Sequence, residues 1–453
     1  MSFTDFFPKR FDPFSAEPLV ELDYQEELKL KDRALALLLK DGKCSSKVET
    51  ICPSPLPRAY RTTGKRRVTV RGKQVFLHFG RTPGREPIAF SLSEPESHGR
   101  IYRDLHRRLS DIRNRAAVEV MNYCIIRGSY TEHAVIFNVK RLSGEIVRCL
   151  KYIGEGAVKE NPVIKSVFLY VDEKGSDYYL DAERPEKGVA FKKLYGPEHL
   201  ALRLDGRKYL YSPTSFSQIN ESILPEFLEV LKKELAPSRD AQMLDLYCGY
   251  GLWSLAMAGE FKRVYGLELS PESIRMARSN AKFHYPDADL SFESGFIERD
   301  LLSGKLPPPG REKERILLDP PRKGCVPGVL EYLISRKPER ILHLFCGADE
   351  IVPALKIYEA NGCKVEKLIP FDFFPGSMNI ELLAVIRPGA VKQAKKYSLL
   401  PNQQRKHNSA RLSSGQKNGA LTGIRTQDPV IKSHLLYRLS YERTRLTFQP
   451  TVP

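Results

Sequence analysis

No apolar run in the 453 residues approaches the ~18 that a membrane-spanning helix requires. The first residues, MSFTDFFPKRFDPF, lack the apolar core of a secretory signal. Cysteine is sparse: eight are scattered over the whole length, which excludes a disulfide framework and fits a reducing compartment. Internal repeats are absent. These absences predict a cytoplasmic protein with no membrane partner. Apolar residues still make up 42% of the chain, which excludes a wholly disordered one. The length predicts about two to four domains, at roughly 100–200 residues each.

Acidic charge is also in deficit, with 55 Asp+Glu against 72 Lys+Arg, a net charge of +17. An excess of this size points to a polyanionic partner. Its placement is uneven. Residues 389–453 hold twelve Lys/Arg against two Asp/Glu, +10, which leaves +7 for the preceding 388 residues. The nucleic-acid argument therefore must not rest on this tail. KYSLLPNQQRKHNSARLSSGQKNGALTG is rich in Ser, Asn, Gln and Lys and has little periodicity, so 389–453 reads as a basic, disordered tail. Its last stretch resembles peptide translated past a gene's natural end, and removing the tail is expected to leave activity intact.

Four regions follow from composition and periodicity. Residues 1–56 form an N-terminal arm and a helix, with Leu28, Leu30, Leu35, Leu37 and Leu38 at helical spacing and Pro53, Pro55 and Pro57 at the end. Residues 57–200 read as a central α+β domain. RRVTVRGKQVFLHF alternates like two strands around an Arg-Gly-Lys turn, and AVIFNVKR and VIKSVFLYVDE read as further strands. Arg58, Tyr60, Arg61, Lys65, Arg66 and Arg67 form a basic cluster with an aromatic inside it. RNA contact and a solvated strand edge are equally good readings of that cluster. Residues 201–388 alternate short apolar strands (MLDLYC, VYGLEL, LSFESG, RILLDP, RILHLF, KVEKLIPF, IELLAVI) with helical stretches, which predicts a parallel, doubly wound sheet. Residues 389–453 are the tail.

Leu244-Asp245-Leu246-Tyr247-Cys248-Gly249-Tyr250-Gly251 ends one strand and precedes an apolar helix. Gly249 and Gly251 let backbone approach a ligand closely, and a helix N-terminus favours polar or anionic groups. Seventeen residues after Gly251 the next strand ends in Glu268, a carboxylate placed to bind two ribose hydroxyls. The dinucleotide pattern G-x-G-x-x-G is not met, because position 254 is Ser, so S-adenosyl-L-methionine fits better than NAD. A later strand runs into Leu318-Asp319-Pro320-Pro321-Arg322-Lys323-Gly324. The two prolines after an acid make a rigid loop at the ligand crevice. Cys346 closes RILHLFC at the end of the fifth strand, and FDFFPGSMNI leads to Glu381.

Taken in order, YSPTSFSQIN (211–220), LDLYCGYG, GLEL, LLDPPRKG, the cysteine strand and FDFFPGSMNIE (371–381) resemble the tRNA and large-subunit ribosomal RNA uracil-C5 methyltransferases. The resemblance spans about 190 residues. It implies a doubly wound, Rossmann-like S-adenosyl-L-methionine methyltransferase domain preceded by a smaller α+β RNA-binding domain. It also implies a monomer acting on tRNA or ribosomal RNA. By motif position Cys346 is the nucleophile and Glu381 the proton acceptor. Gln218, Tyr247, Gly249, Gly251, Glu268 and Asp319 match positions that hold the methyl donor or order the base. A thiolate is needed because uracil C5 is too weak a nucleophile unaided, and addition at C6 makes C5 enolate-like.

Three departures stand out. The usual Ser-Cys-Asn-Pro is here Phe345-Cys346-Gly347-Ala348, a common His two residues before the base is Asn379, and a usual polar residue after the glycine loop is Leu252. They suggest a divergent substrate, or a weakened enzyme that mainly binds RNA. Cys325, after the Pro-Pro-Arg-Lys-Gly loop, is the rival nucleophile of an RNA cytosine-C5 methyltransferase. Two features of ribosomal members are missing. About 56 residues precede the central region, too few for a β-barrel module plus the helix. Only Cys44 and Cys52 lie where four clustered cysteines would hold an iron–sulfur cluster, so no cluster and no metal is expected.

Overall fold

The computed structural model describes residues 2–13, 15–80, 82–175, 191–297, 304, 306–309 and 313–389. The tail expected to be disordered lies outside the described residues from 390 onward.

Helix α1 (Tyr24–Asp41) starts where Asp23 accepts hydrogen bonds from the Gln25 and Glu26 amides, satisfying donors that the first turn leaves open. Alternating apolar residues then build the hairpin β1 (Gly64–Arg71) and β2 (Gln74–His78), with Arg71 opposite Gln74 and Gly72 at φ +57° in the turn. After α2 (Glu96–Leu109) and the single turn α3 (Arg115–Val118) come β3 (Met121–Gly128) and β4 (His133–Val139). Helix α4 (Gly144–Glu160) buries Ile146, Leu150, Ile153 and Ala157 on one face and crosses over to β5 (Ile164–Val171), which therefore runs parallel to β4. With β6 (Phe191–Tyr195) these strands form a sheet in the order β2-β1-β3-β4-β5-β6. Gly154 lets α4 sit directly on the sheet, since a Cβ there would lie 2.7 Å from Val167.

A small hairpin, β7 (Leu200–Leu204) and β8 (Arg207–Tyr211), and helix α5 (Leu224–Leu235) lead into the second sheet. Its elements are β9 (Ala241–Leu246), α6 (Leu252–Ala256), β10 (Arg263–Glu268), α7 (Pro271–His284), β11 (Leu290–Ser294), β12 (Lys313–Leu318), α8 (Val329–Ser335), β13 (Arg340–Phe345), α9 (Ile351–Ala360), β14 (Lys364–Phe371) and β15 (Glu381–Arg387). Strand order is β11-β10-β9-β12-β13-β15-β14. The α/β doubly wound fold is present, with one correction. The sheet is not wholly parallel: β15 runs antiparallel to both β13 and β14. The connection 372–380 is too short for the dozen or more residues of a parallel crossover, so the chain returns as a hairpin.

The N-terminal arm packs against this second sheet. Phe3, Phe7, Leu19, Ala34, Leu35 and Leu38 join the core that includes β12, β13 and β15 residues. Segment 47–52 adds parallel bridges beside β14, Val48 with Leu368 and Cys52 with Phe371.

Candidate active site

The antiparallel β15 decides what meets at one edge of the sheet. Parallel strands β9, β12 and β13 point their C-terminal ends that way, and β15 starts there. Phe345 pairs with Leu382, so the next step in register sets Cys346 opposite Glu381. Leu318 pairs with both Leu246 and His343, which brings Asp319 between the glycine loop and the cysteine. The Cys346 thiol donates to Asp319 Oδ1 at 3.1 Å.

Tyr247 (φ +66°) turns the chain out of β9. Gly249 follows at φ +56° with open space where a Cβ would stand, whereas Gly251 (φ +79°) is packed against Phe292 and Ala277. One glycine leaves a cradle, and the other closes the loop onto α7. Glu268 ties the loops together, its Oε1 accepting from the Ser270 amide at 2.8 Å and its Oε2 from the Gly249 amide at 3.3 Å. Helix α6 is only five residues long, so the anion-favouring helix N-terminus expected there contributes little. Gln218 is buried in the segment after β8. Arg127 on β3 holds that segment by donating to Pro213 O (2.5 Å), Ser215 O (2.8 Å) and Ser217 Oγ (3.0 Å).

The electrostatics are those of crowded acids. Burial, Asp319 and Glu381 raise the Cys346 thiol well above its ordinary value, with Arg322 opposing. Burial and the charge of Asp319 raise Glu381 to about 8, and one of its oxygens, Oε2, is buried without a partner. Asp319 is raised to about 6 by burial, against the Cys346 hydrogen bond, which lowers it. Asp245 is raised to about 7 by burial, although Ser254 Oγ donates to its Oδ2 at 2.5 Å. Its Oδ1 is buried and unpartnered. Perturbed acids clustered at a crevice mark a functional site. Asp245, Arg127 and Arg322 were not singled out from sequence. Asp245 sits inside the quoted glycine motif, but nothing local marks Arg127, which reaches the site from the other sheet.

The departure at 347 has a steric cause. A Cβ on Gly347 would lie 2.3 Å from Arg322 O, so the Asp-Pro-Pro loop packs directly on a glycine and the usual Asn has no room. Cys325 packs with the second core and neighbours Tyr358, whereas Cys346 is the cysteine that meets Asp319. Much of the basic cluster turns inward. Arg66 is fully buried against Glu94, Tyr60 is buried, and Arg58 donates to Glu27 and to the carbonyls of Leu19, Val20 and Leu22. Neither reading of the cluster as a surface holds for these three. Among the described residues no group of three or more His, Cys, Asp or Glu is arranged to hold a metal, and no helix is long and apolar enough to cross a membrane.

Residues 181–287 match the tRNA (uracil-5-)-methyltransferase family. Over that segment the chain is similar to this family of RNA methyltransferases. Similar proteins carrying the name uncharacterized RNA methyltransferase include one from Thermotoga maritima, 26% identical over 377 residues and covering 82% of each chain. Another, from Oceanobacillus iheyensis, is 29% identical over 57% of this chain and 53% of its own length. A third, from Clostridium tetani, is 32% identical over 43% of this chain and 41% of its own. The chain thus spans about half the length of two of these similar proteins. Among solved structures, the Pyrococcus abyssi tRNA (uracil-54, C5)-methyltransferase in complex with S-adenosyl-L-homocysteine has the same fold. It superposes with a TM-score of 0.57 at 20% identity, covering 82% of this chain and 85% of that one.

Proposed function

We propose that this chain methylates C5 of uridine in RNA, with S-adenosyl-L-methionine as donor. The observation that carries the reading is Cys346 bonded to Asp319 and set opposite Glu381, beside the glycine loop and Glu268. The site fits a methyl donor. Gly249 leaves an open cradle, Glu268 stands at the neighbouring strand end, and Asp245 keeps an orphaned buried oxygen. Gln218, Tyr247, Gly249, Gly251 and Glu268 would hold the donor, which supplies an electrophilic methyl group when bound.

The remaining chemistry belongs to the side chains. Asp319 accepts the Cys346 hydrogen bond and stands to receive the thiol proton. The sulfur adds to uracil C6, and the C5–C6 π pair moves into an enolate across C5, C4 and O4. After C5 is methylated, Glu381 removes the C5 proton. The freed C–H pair re-forms the C5–C6 double bond, the C6–S bond breaks, and the thiolate returns. Glu381 serves as the base only when ionised, so its elevation to about 8 predicts turnover that rises with pH through that value. The target base would be flipped out of its loop to reach this edge.

The deciding experiment is nucleoside mass spectrometry on unmodified tRNA and ribosomal RNA incubated separately with the protein and labelled donor. 5-Methyluridine in either pool supports the reading and names the RNA class. 5-Methylcytidine would instead implicate Cys325. No methylated base in either pool, with donor bound, would overturn it.

A further inference from the structure

Among the described residues Lys31 is the one buried lysine, and it lies far in sequence from every site motif. Its ammonium donates to Asp372 Oδ1 at 2.7 Å and to Phe374 O at 3.1 Å, and it pairs with Glu27 Oε1 at 2.8 Å. The side chains of Lys31, Glu27 and Asp372 have no exposure. Glu27 Oε1 also accepts from the Gly376 amide at 2.6 Å, and its Oε2 meets Arg58 at 3.1 Å. The Tyr24 hydroxyl donates to Asp372 Oδ2 at 3.1 Å, and the Tyr60 hydroxyl to Pro375 O at 3.0 Å. The Leu19 amide donates to Gly376 O at 2.9 Å. Asn220, two residues after Gln218, donates to Phe373 O at 3.2 Å. Every residue from 372 to 376 is thus gripped from outside its own hairpin, mostly by residues 19–60.

That hairpin presents Glu381. Phe371 is the cross-strand partner of Glu381, and Asp372 is the next residue. Two cations and two carboxylates are a poor way merely to glue a helix to a sheet, because apolar residues of similar volume do so without the cost of desolvating charge. What buried charges add is direction: each contact is satisfied in one arrangement only. We propose that Lys31 is a positioning residue, which through Asp372 and Phe374 fixes the hairpin that places the Glu381 carboxylate at the C5 proton. The inference rests on the uracil-C5 reading above. It predicts a defect confined to proton removal, since Cys346 is carried by β13 and its thiol is held by Asp319 and not by Lys31, Glu27 or Asp372.

The test uses the full chain and RNA containing 5-fluorouracil. Fluorine replaces the C5 proton, so covalent capture needs the thiol and the donor but not the base. The variant is Glu27→Gln/Lys31→Met/Asp372→Asn, which strands no charge among these three. We expect it to fold cooperatively, to capture fluorinated RNA at a rate within about twofold of wild type, and to lose ~100-fold in turnover on ordinary RNA, as a misplacement of about 1 Å can produce. A protein–RNA adduct should accumulate. Wild-type turnover in the folded variant, or capture and turnover falling together, overturns the inference. Should the variant not fold, Tyr24→Phe removes one bond to Asp372 with little change in packing. A higher adduct-to-product ratio then supports positioning, and an unchanged ratio refutes it. A wild-type chain that turns over ordinary RNA without capturing its fluorinated form would overturn the covalent route and this inference together. If the wild-type chain makes no 5-methyluridine, the underlying reading has failed first.

Discussion

Glu94 in the central region and Glu381 at the edge of the second sheet both have deeply buried side chains, 6% exposed for Glu94 and 3% for the whole of Glu381. Burial pushes both carboxyl groups upward. For Glu94 that push is overcome by His98 and by Arg66, whose guanidinium grips both oxygens at 2.9 and 2.7 Å, and the group falls to about 2. For Glu381 only Arg322 and the Cys346 thiol oppose burial, Asp319 reinforces it, and the group rises to about 8. The central domain has paired its buried charge. The second sheet gathers acids raised by burial at the edge where a ligand would bring compensation. Structure and chemistry are separated by whether a counter-ion is already in place.

The comparison can be broken in several ways. Cys346→Ala should abolish 5-methyluridine formation, measured by nucleoside mass spectrometry, while RNA affinity stays within a few-fold. Full activity in that variant would sink the nucleophile assignment. Glu381→Gln should let methyl transfer proceed and stall release, leaving protein–RNA adduct on a denaturing gel. Rapid normal turnover would remove Glu381 from its role. Glu94→Gln should do the reverse. It leaves Arg66 buried without its anion, which costs about 3–5 kcal/mol of stability in urea titration, yet turnover per folded molecule should hold.

The smallest effect is a matter of sign. A carboxyl raised on folding stabilises while protonated. Glu381 therefore contributes fully below its ordinary 4.5, and the contribution is lost as pH climbs through about 8. Glu94 is depressed, so its contribution is present above 4.5 and lost as pH falls toward about 2. Melting temperature of the wild type should fall relative to Glu381→Gln between pH 5 and 8.5. Parallel curves would mean that Glu381 is ionised in the free protein.

Much of this was legible in the sequence where one segment contains both cause and effect. Each strand of the second sheet was visible as a short apolar run, and Asp319 ended one beside two prolines, but Cys346 and Glu381 were singled out by the resemblance of their motifs and not by their place at a strand end. Strand direction was not legible. IELLAVI reads the same whether it lies parallel or antiparallel to RILHLF, and only the length of 372–380 tells them apart. Arg58, Tyr60 and Arg66 of the basic cluster were misjudged for a related reason. Arg58 and Arg66 look solvated until Glu27 and Glu94, about thirty residues away in each case, are seen to cover them. Helix α4 passed unread although its apolar residues recur at helical spacing, because Gly154 and Gly156 interrupt it, and the packing of Gly154 on Val167 is a tertiary fact.

The pairing of Phe345 with Leu382 also gives the site a parity. Side chains alternate faces along a strand, so sliding β15 by one residue past β13 would send Glu381 to the far face and bring Leu382 to the sulfur, whereas a slide of two would restore the facing side but move the acid out of reach. Which residue faces the nucleophile is therefore set by a count of residues in a hydrogen-bonded ladder, and the grip on 372–376 is left to fix the carboxylate within that register. Insertions in 372–380 that preserve the ladder keep Glu381 on the facing side, while a single deletion inside β15 would have to be absorbed by a bulge before Glu381 could return to its place.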